Sequence, residues 1–308
     1  MKFFIKKLNK LDLKSFYICL GVIAVLVSAI GISVLFSLNK QTVRVGAVCY
    51  TQFHTDEDIA NGFAIDEASV HIDEFEEFLL HLKNNNIKAI TINELQQFID
   101  GKIDLPERCM LITIDNCSRS FYKYAYPLLQ EYGMPANVSI YGNAVDFASA
   151  NDTWVDQYCT WTEISQMSKS GLIEFGSRTY DLHTNFDESW SAMMREDEDI
   201  SKYRDILMKD MQPLNEKIEK QCGYKPQFFS YPYYAVSLPS VPILRDDLGY
   251  KFLFVGNTKS AYRYFGYSIH YTNYNPFVKG DTPENSFIKR FTPQTGDDTN
   301  ELIHTIFG

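Results

Sequence analysis

The chain has 308 residues, of which 45% are hydrophobic, 22% charged and 15% aromatic, so it can form one large globular domain or two small ones. Its formal net charge is −10, which argues against nucleic acid or anionic lipid as an electrostatic partner. The six cysteines are unclustered; this argues against a disulfide framework and a C-x-x-C metal site but leaves one or two bridges open, such as Cys49–Cys117.

The first predicted element is a membrane helix. Residues 15–38 form an uncharged, mostly apolar run of 24 residues, and as a helix it would be about 36 Å long, enough to cross a hydrocarbon core of about 30 Å. Five lysines precede it against one aspartate, so residues 1–14 should stay in the cytoplasm. A cleaved signal peptide would have a shorter apolar region and a small-residue cleavage site. We therefore predict a single-pass cell-membrane protein with a signal anchor and an extracellular domain, residues 41–308.

Strand-like and helix-like segments alternate along that domain. Near-continuous apolar runs predict buried strands, and apolar residues at helical spacing predict covering helices. The predicted strands are 43–50, 88–91, 109–115, 137–142, 172–177, 226–231 and 251–255, and the predicted helices are 72–83, 93–99, 119–132, 162–169, 199–221, 241–248 and 300–307. About seven parallel strands favour an α/β fold of the distorted (β/α) barrel type over an open sheet. Residues at the carboxyl ends of the strands are then the site candidates.

Asp115 is the strongest catalytic candidate, because it ends the most apolar strand. A buried acid is costly unless it is paired or used, although a structural role as a helix cap explains it equally well. Cys117 is a possible reactive thiol with His183 as its base, but a small buried thiol is an equally simple interpretation. Four tyrosines at strand ends could stack on sugar rings or pack as structural aromatics: Tyr50, Tyr141, Tyr231 and Tyr233.

Three motifs in order carry a family resemblance. Residues 113–117 read T-I-D-N-C against T-F-D-D-G, residues 177–183 read S-R-T-Y-D-L-H against S-H-T-x-x-x-H, and residues 231–234 read Y-P-Y-Y against Y-P-Y-G. With their flanking segments, they make residues 43–255 resemble the polysaccharide deacetylases of carbohydrate esterase family 4. Members act on chitooligosaccharides, peptidoglycan and exported poly-N-acetylglucosamine.

The resemblance implies a divalent metal such as zinc, held by one aspartate and two histidines. Asp115 matches the family's base, but the metal-binding Asp is replaced by Asn116 and one metal-binding His by Arg178. Only His183 remains of the three ligands, which is insufficient for zinc. Substitute ligands would have to come from other side chains, and those available are His54, Cys117 and His270.

We expect Arg178 to pair with Asp115 in place of the metal, lowering the pKa of Asp115 and making it a poor base. The favoured interpretation is a catalytically degenerate relative that binds a cell-surface polysaccharide, peptidoglycan or a protein partner, without a cofactor. The alternative is an active deacetylase that hydrolyses N-acetyl groups of such a polymer with an altered metal site. A third interpretation is a hydrolase of different chemistry, in which Cys117 is the nucleophile and His183 its base.

Overall fold

The computed structural model describes residues 17–18, 20–28, 40–63, 69–150, 157–182, 192–195, 197–256, 273–281 and 287–308. The chain divides into two compact units, Met1–Gln41 and Thr42–Gly308. Most of the predicted membrane segment, residues 15–38, lies outside the described residues, and none of the helices within them is long and apolar enough to cross a membrane. The signal anchor therefore stays a prediction.

Strands and helices alternate through the second unit, as the sequence predicts. Its strands are β1 (Thr42–Tyr50), β2 (Gln52–His54), β3 (Ser69–His71), β4 (Lys88–Ala89), β5 (Arg108–Ile114), β6 (Ala136–Tyr141), β7 (Ile173–Thr179), β8 (Phe228–Ser230), β9 (Phe252–Gly256), β10 (Asn275–Val278) and β11 (Phe287–Arg290). Its α-helices are α1 (Asp56–Ala60), α2 (Ile72–Asn84), α3 (Ile92–Ile99), α4 (Tyr126–Tyr132), α5 (Gly142–Ala150), α6 (Trp161–Lys169), α7 (Ile200–Cys222), α8 (Ser240–Pro242) and α9 (Thr299–Phe307).

The main sheet is a nearly closed barrel. Its strand order is β10-β1-β5-β6-β7-β8-β9-β11, with β4 paired to β5, and every pair is parallel except β10 with β1. Phe291, just after β11, bridges back to β1: its carbonyl accepts from the Cys49 amide at 2.7 Å and its amide donates to Ala47 at 2.8 Å. The predicted α/β barrel is thus confirmed, but β10 and β11 were not predicted.

Local sequence signals explain where the helices begin. Thr91 and Thr160 are each the N-cap residue of a helix, and a glutamate follows three residues later. The threonine side chain accepts from the backbone amide of the glutamate, and the glutamate side chain accepts from the backbone amide of the threonine, which completes a capping box. Two predicted helices are less regular than expected, because π-helical turns at Phe121–Ala125 and Ile243–Asp247 form part of them. Helix α5 was missed, since its short, weakly amphipathic sequence directly follows β6.

Glu174, near the amino end of β7, is a buried carboxyl group inside the fold. Its Oε2 accepts from the Asn93 amide at 2.7 Å, at the start of α3, while its Oε1 is buried without a hydrogen bond. Burial raises the pKa of Glu174 to about 7. A folded-state pKa above the ordinary 4.5 means that folding is most favoured below that ordinary value, and that stability is lost as the pH rises through 7.

We expect Glu174→Gln to remove this loss. Relative to the unsubstituted chain, the variant should gain about 1–3 kcal/mol in free energy of unfolding between pH 4.5 and pH 8, because glutamine keeps an acceptor for Asn93 without titrating. Urea denaturation at several pH values measures the difference. Glu107, whose side chain is 74% exposed, provides the control Glu107→Gln. An unchanged pH slope in Glu174→Gln would contradict the assignment.

Candidate functional site

Three charged side chains meet at the carboxyl end of the barrel strands. Asp115 follows β5, Arg178 is the next-to-last residue of β7 and Arg290 is the last residue of β11. Parallel strands end at the same edge of a barrel, so residues distant in sequence converge there. All three side chains are buried, with relative exposures of 2% for Asp115, 6% for Arg178 and 0% for Arg290.

Arg290 binds the Asp115 carboxylate in a two-pronged geometry. Its Nη1 donates to Oδ1 at 2.8 Å and its Nη2 donates to Oδ2 at 3.0 Å, the fork arrangement that makes Arg–carboxylate pairs strong. Nη1 also donates to Thr113 Oγ1 at 3.1 Å, and Thr113 in turn donates to the Val48 carbonyl at 2.6 Å. Sequence reasoning missed Arg290. The sequence offers little signal for it, because the adjacent Lys289 makes the segment resemble an exposed, charged one.

Arg178 contacts the same carboxylate. Its Nη1 donates to Asp115 Oδ2, so the contact expected between these two residues is present. Burial alone would raise the pKa of Asp115, but the guanidinium groups of Arg178 and Arg290 hold it well below its usual range. Asp115 is therefore ionised and its oxygens are occupied, which makes it a weak proton acceptor. These three side chains together carry one excess positive charge.

Two residues that stand where the family motifs have glycine adopt a left-handed backbone conformation. Cys117 has φ 57° and Tyr234 has φ 56°, and in the resembling family both positions are glycine. The left-handed region costs other residues about 1–2 kcal/mol. Tyr234 offsets this cost through contacts: its ring lies 5.6 Å from the Arg290 guanidinium, and its hydroxyl is 2.6 Å from Thr292 Oγ1.

The donor atoms present do not fit the family's metal site. Both oxygens of Asp115 are bound by guanidinium groups, Arg178 is a cation that cannot ligate, and Asn116 offers only a neutral amide oxygen, which is buried without a hydrogen bond. His183 and His270 lie outside the described residues. Within the described part of the chain, no three His, Cys, Asp or Glu side chains are grouped so as to hold a metal.

The remaining substitute ligands do not join the site. His54 is fully buried on β2, where its ring stacks on Phe63 and meets His71 edge-on at 5.4 Å between centroids. Cys117 is also fully buried, and burial raises its pKa well above the ordinary value. A thiol that is inaccessible and protonated is a poor nucleophile, which argues against Cys117 as a reactive thiol in the folded chain.

Two of the four predicted groove tyrosines are core residues. Tyr231 is 0% exposed and its hydroxyl is paired with Ser240 at 2.6 Å, and Tyr50 is 3% exposed and packs edge-on against Phe75 at 5.1 Å. Neither can stack on a ligand, because apolar neighbours already cover them. Long aromatic side chains at strand ends fold inward as readily as outward, and the sequence pattern does not distinguish the two.

The other two tyrosines reach the surface. Tyr233 is 46% exposed and Tyr141 is half-buried. Tyr141 meets Tyr158 edge-on at 6.1 Å between ring centroids. Burial raises the pKa of Tyr158; Tyr233 raises it further and Arg178 lowers it, so both side chains are within electrostatic range of Tyr158. Tyr158 was not predicted, since it lies outside every predicted strand. The three tyrosines Tyr141, Tyr158 and Tyr233 thus belong to the same end of the barrel as Arg178.

Comparison of sequences identifies relatives of the chain. Residues 102–253 match the family model for polysaccharide deacetylase. The poly-β-1,6-N-acetyl-D-glucosamine N-deacetylase of Escherichia coli K12 is 23% identical over 206 residues, covering 60% of this chain and 30% of that protein. The same enzyme of Staphylococcus aureus MSSA476 is 26% identical over 177 residues, covering 58% of each chain. The chain therefore matches less than two thirds of the length of these relatives.

Comparison of structures identifies the fold. A de-N-acetylase from Aggregatibacter actinomycetemcomitans superposes with a TM-score of 0.69 at 18% identity, covering 85% of this chain and 99% of that one. IcaB from Ammonifex degensii superposes with a TM-score of 0.63 at 20% identity, covering 86% and 98%. The barrel is that of the de-N-acetylases. The chain is accordingly a polysaccharide deacetylase-like protein related to the poly-N-acetylglucosamine deacetylases, as its motifs predicted.

Proposed function

We propose that this protein is a cell-surface polysaccharide deacetylase-like protein that binds an amino-sugar polymer and does not hydrolyse its N-acetyl groups. The observation that carries the proposal is the engagement of the Asp115 carboxylate by both Arg178 and Arg290. A base must be free to accept a proton near neutral pH, and Asp115 instead serves as the counter-ion of two buried cations.

The surface beside this cluster suits a sugar polymer. Tyr233 and Tyr141 present aromatic surface at the barrel mouth, and aromatic rings offer the flat apolar faces on which sugar rings stack. The acidic net charge of −10 disfavours a polyanion as the main partner. A polymer of N-acetylated amino sugars is uncharged, and it is the polymer named in the relatives' enzymes.

Location at the membrane is part of the proposal. The apolar run of residues 15–38 and the lysines before it support a signal anchor with the N-terminus in the cytoplasm. Residues 41–308 would then meet the polymer outside the cell. Labelling of intact cells with a membrane-impermeant amine reagent, followed by mass spectrometry, tests this. Lysines of the domain should react, whereas lysines before residue 15 should not.

The enzymatic alternative is tested on the full-length chain in detergent. Bound zinc, cobalt and nickel are quantified by elemental analysis, and acetate release is measured from β-1,6-linked N-acetylglucosamine oligomers. We expect neither stoichiometric metal nor turnover, with retention of the chain on the immobilised polymer. Stoichiometric metal together with turnover would establish an active deacetylase and overturn the proposal. Absence of retention would refute glycan binding while leaving the site's geometry untouched.

Tyr233→Ala should weaken retention on the polymer about 5- to 100-fold, because removal of one stacking aromatic in a binding site typically costs 1–3 kcal/mol. Phe147 on α5 is exposed to the same extent, 46%, so Phe147→Ala is a matched control that should bind normally. Affinity electrophoresis in gels containing the polymer measures both variants. Equal retention of Tyr233→Ala and the unsubstituted chain would contradict a binding surface at the barrel mouth.

A further inference from the structure

Two cysteines face each other across a short antiparallel bridge. Ser118 pairs with Tyr158 in antiparallel orientation, which places Cys117 directly opposite Cys159. The Cys159 amide donates to the Cys117 carbonyl at 3.0 Å, and the Arg119 amide donates to the Gln157 carbonyl at 2.9 Å. These two bonds flank the Ser118–Tyr158 pair, so Cys117 and Cys159 stand at the next position of the ladder and share one hydrogen bond. In a regular antiparallel ladder the Cα atoms at such a position are about 5.5 Å apart.

This separation is the one that a disulfide requires. Bridged cysteines have Cα atoms about 4.4–6.8 Å apart, a range that includes the separation of a hydrogen-bonded pair. Both residues are 0% exposed and both thiols are free in this structure. The thiols also interact: burial first, and then the Cys159 thiol, raises the pKa of Cys117. In the reduced chain the Cys159 thiol donates to the Ser118 carbonyl at 3.2 Å, a contact that the sulfur–sulfur bond would replace.

We propose that Cys117 and Cys159 form an intramolecular disulfide when the chain folds in the presence of a disulfide oxidant. The bridge would tie the strand-end turn that carries Asp115 to the segment entering α6. It would hold Asn116 and Cys117 in their left-handed backbone conformation, at φ 68° and 57°. A glycine at residue 117, as in the family motif, could not provide this cross-link. The pairing differs from the Cys49–Cys117 bridge that the sequence left open, since the Cys49 thiol lies instead against the Tyr50 carbonyl at 3.8 Å.

The reaction is two successive thiol–disulfide exchanges. One cysteine thiolate attacks a low-molecular-weight disulfide, forming a mixed disulfide and releasing one thiolate. The second cysteine then attacks the protein sulfur of the mixed disulfide and releases the other half of the oxidant. The two protons from the cysteines end on the two released thiols. Because both thiols are fully buried in the folded reduced chain, an external disulfide can reach them only during folding, and the exchange takes place then.

Oxidative refolding of the full-length chain tests the bridge. The denatured, reduced chain is refolded with oxidised and reduced glutathione, remaining thiols are alkylated, and unreduced peptides are analysed by mass spectrometry after cleavage before aspartate. Cleavage at Asp115 separates Cys117 from Cys109. We expect one linked peptide pair joining Cys117 to Cys159, and a denaturation midpoint that falls when a phosphine reductant is added.

Two variants control the assignment. Cys222 lies partly exposed at the end of α7, and it raises the pKa of Cys117. It is not one of the two bridged residues, so Cys222→Ser should keep both the linked pair and the reductant-sensitive midpoint. Cys159→Ser should lose both. Alkylation of Cys117 and Cys159 in the refolded unsubstituted chain, or linkage of Cys117 to Cys49 or Cys222, would overturn the proposal even if a variant failed to fold.

Discussion

Asp115→Ala is expected to lower the free energy of unfolding by about 3–5 kcal/mol, the cost of removing one partner from a buried ion pair. The variant leaves the guanidinium groups of Arg178 and Arg290 buried at 6% and 0% exposure without a counter-ion between them. Neither group can shed its charge, because arginine stays protonated. Guanidinium chloride denaturation, followed by circular dichroism, measures the loss.

A surface pair provides the matched control for that experiment. Asp104 pairs with Lys279 at 2.6 Å, but the Asp104 side chain is 78% exposed. Asp104→Ala should therefore cost less than about 1 kcal/mol. Residues that serve catalysis often reduce stability, so removal of a working base tends to be neutral or stabilising. A neutral or stabilising Asp115→Ala would show that Asp115 is not the structural counter-ion described here.

The double variant Asn116→Asp/Arg178→His should convert the chain from one that binds no zinc into one that binds about one equivalent. It restores the carboxylate and the imidazole that the family's motifs carry, and it frees Asp115 Oδ2 from the Arg178 guanidinium. His183 would supply the third ligand. Each single change should fail: Asn116→Asp leaves the Arg178 cation in place, and Arg178→His provides no carboxylate.

Elemental analysis after dialysis against a weak chelator measures the gain. Addition of His183→Ala to the double variant is the control, and we expect it to abolish binding because two ligands are too few. Circular dichroism confirms that each variant is folded. Zinc bound by the unsubstituted chain in the same assay, or zinc retained by the double variant without His183, would contradict the assignment of these positions.

The barrel was predictable because its parts are local in sequence. Buried parallel strands such as β5 are continuous apolar runs, and capping boxes such as the one at Thr91 mark the helices that follow. Strand β11 was missed because it is only four residues long and contains Lys289 and Arg290. Two adjacent cations argue against a buried strand unless the buried partner is known.

The candidate site was only half predictable, because some of its residues lie in recognisable local motifs and others do not. Arg178 was found because it replaces a histidine inside a recognisable motif, whereas Arg290 belongs to none of the three motifs and is 175 residues from Asp115. The tyrosines show a second limit. Tyr231 and Tyr233 are two residues apart in one motif, but Tyr231 is fully buried and Tyr233 is 46% exposed. Only the fold decides which ring faces outward.

Two of the departures from the family motifs meet at one cluster of side chains. With Arg178 in place of a metal ligand, the carboxylate of Asp115 needs no metal to balance its charge. Arg290 then completes the pair, and Tyr234 covers the Arg290 guanidinium at 5.6 Å from a position where the family has glycine. Residues 178 and 234, two of the positions that differ from the family motifs, thus both contact the buried ionic cluster around Asp115.

The most direct test is a crystal structure of the protein grown with excess zinc, with diffraction data collected at the zinc absorption edge. We expect Arg178 and Arg290 in contact with both oxygens of Asp115, and no anomalous density within bonding distance of that carboxylate. Zinc bound at Asp115 or Asn116, with the Arg178 side chain turned away, would contradict this expectation.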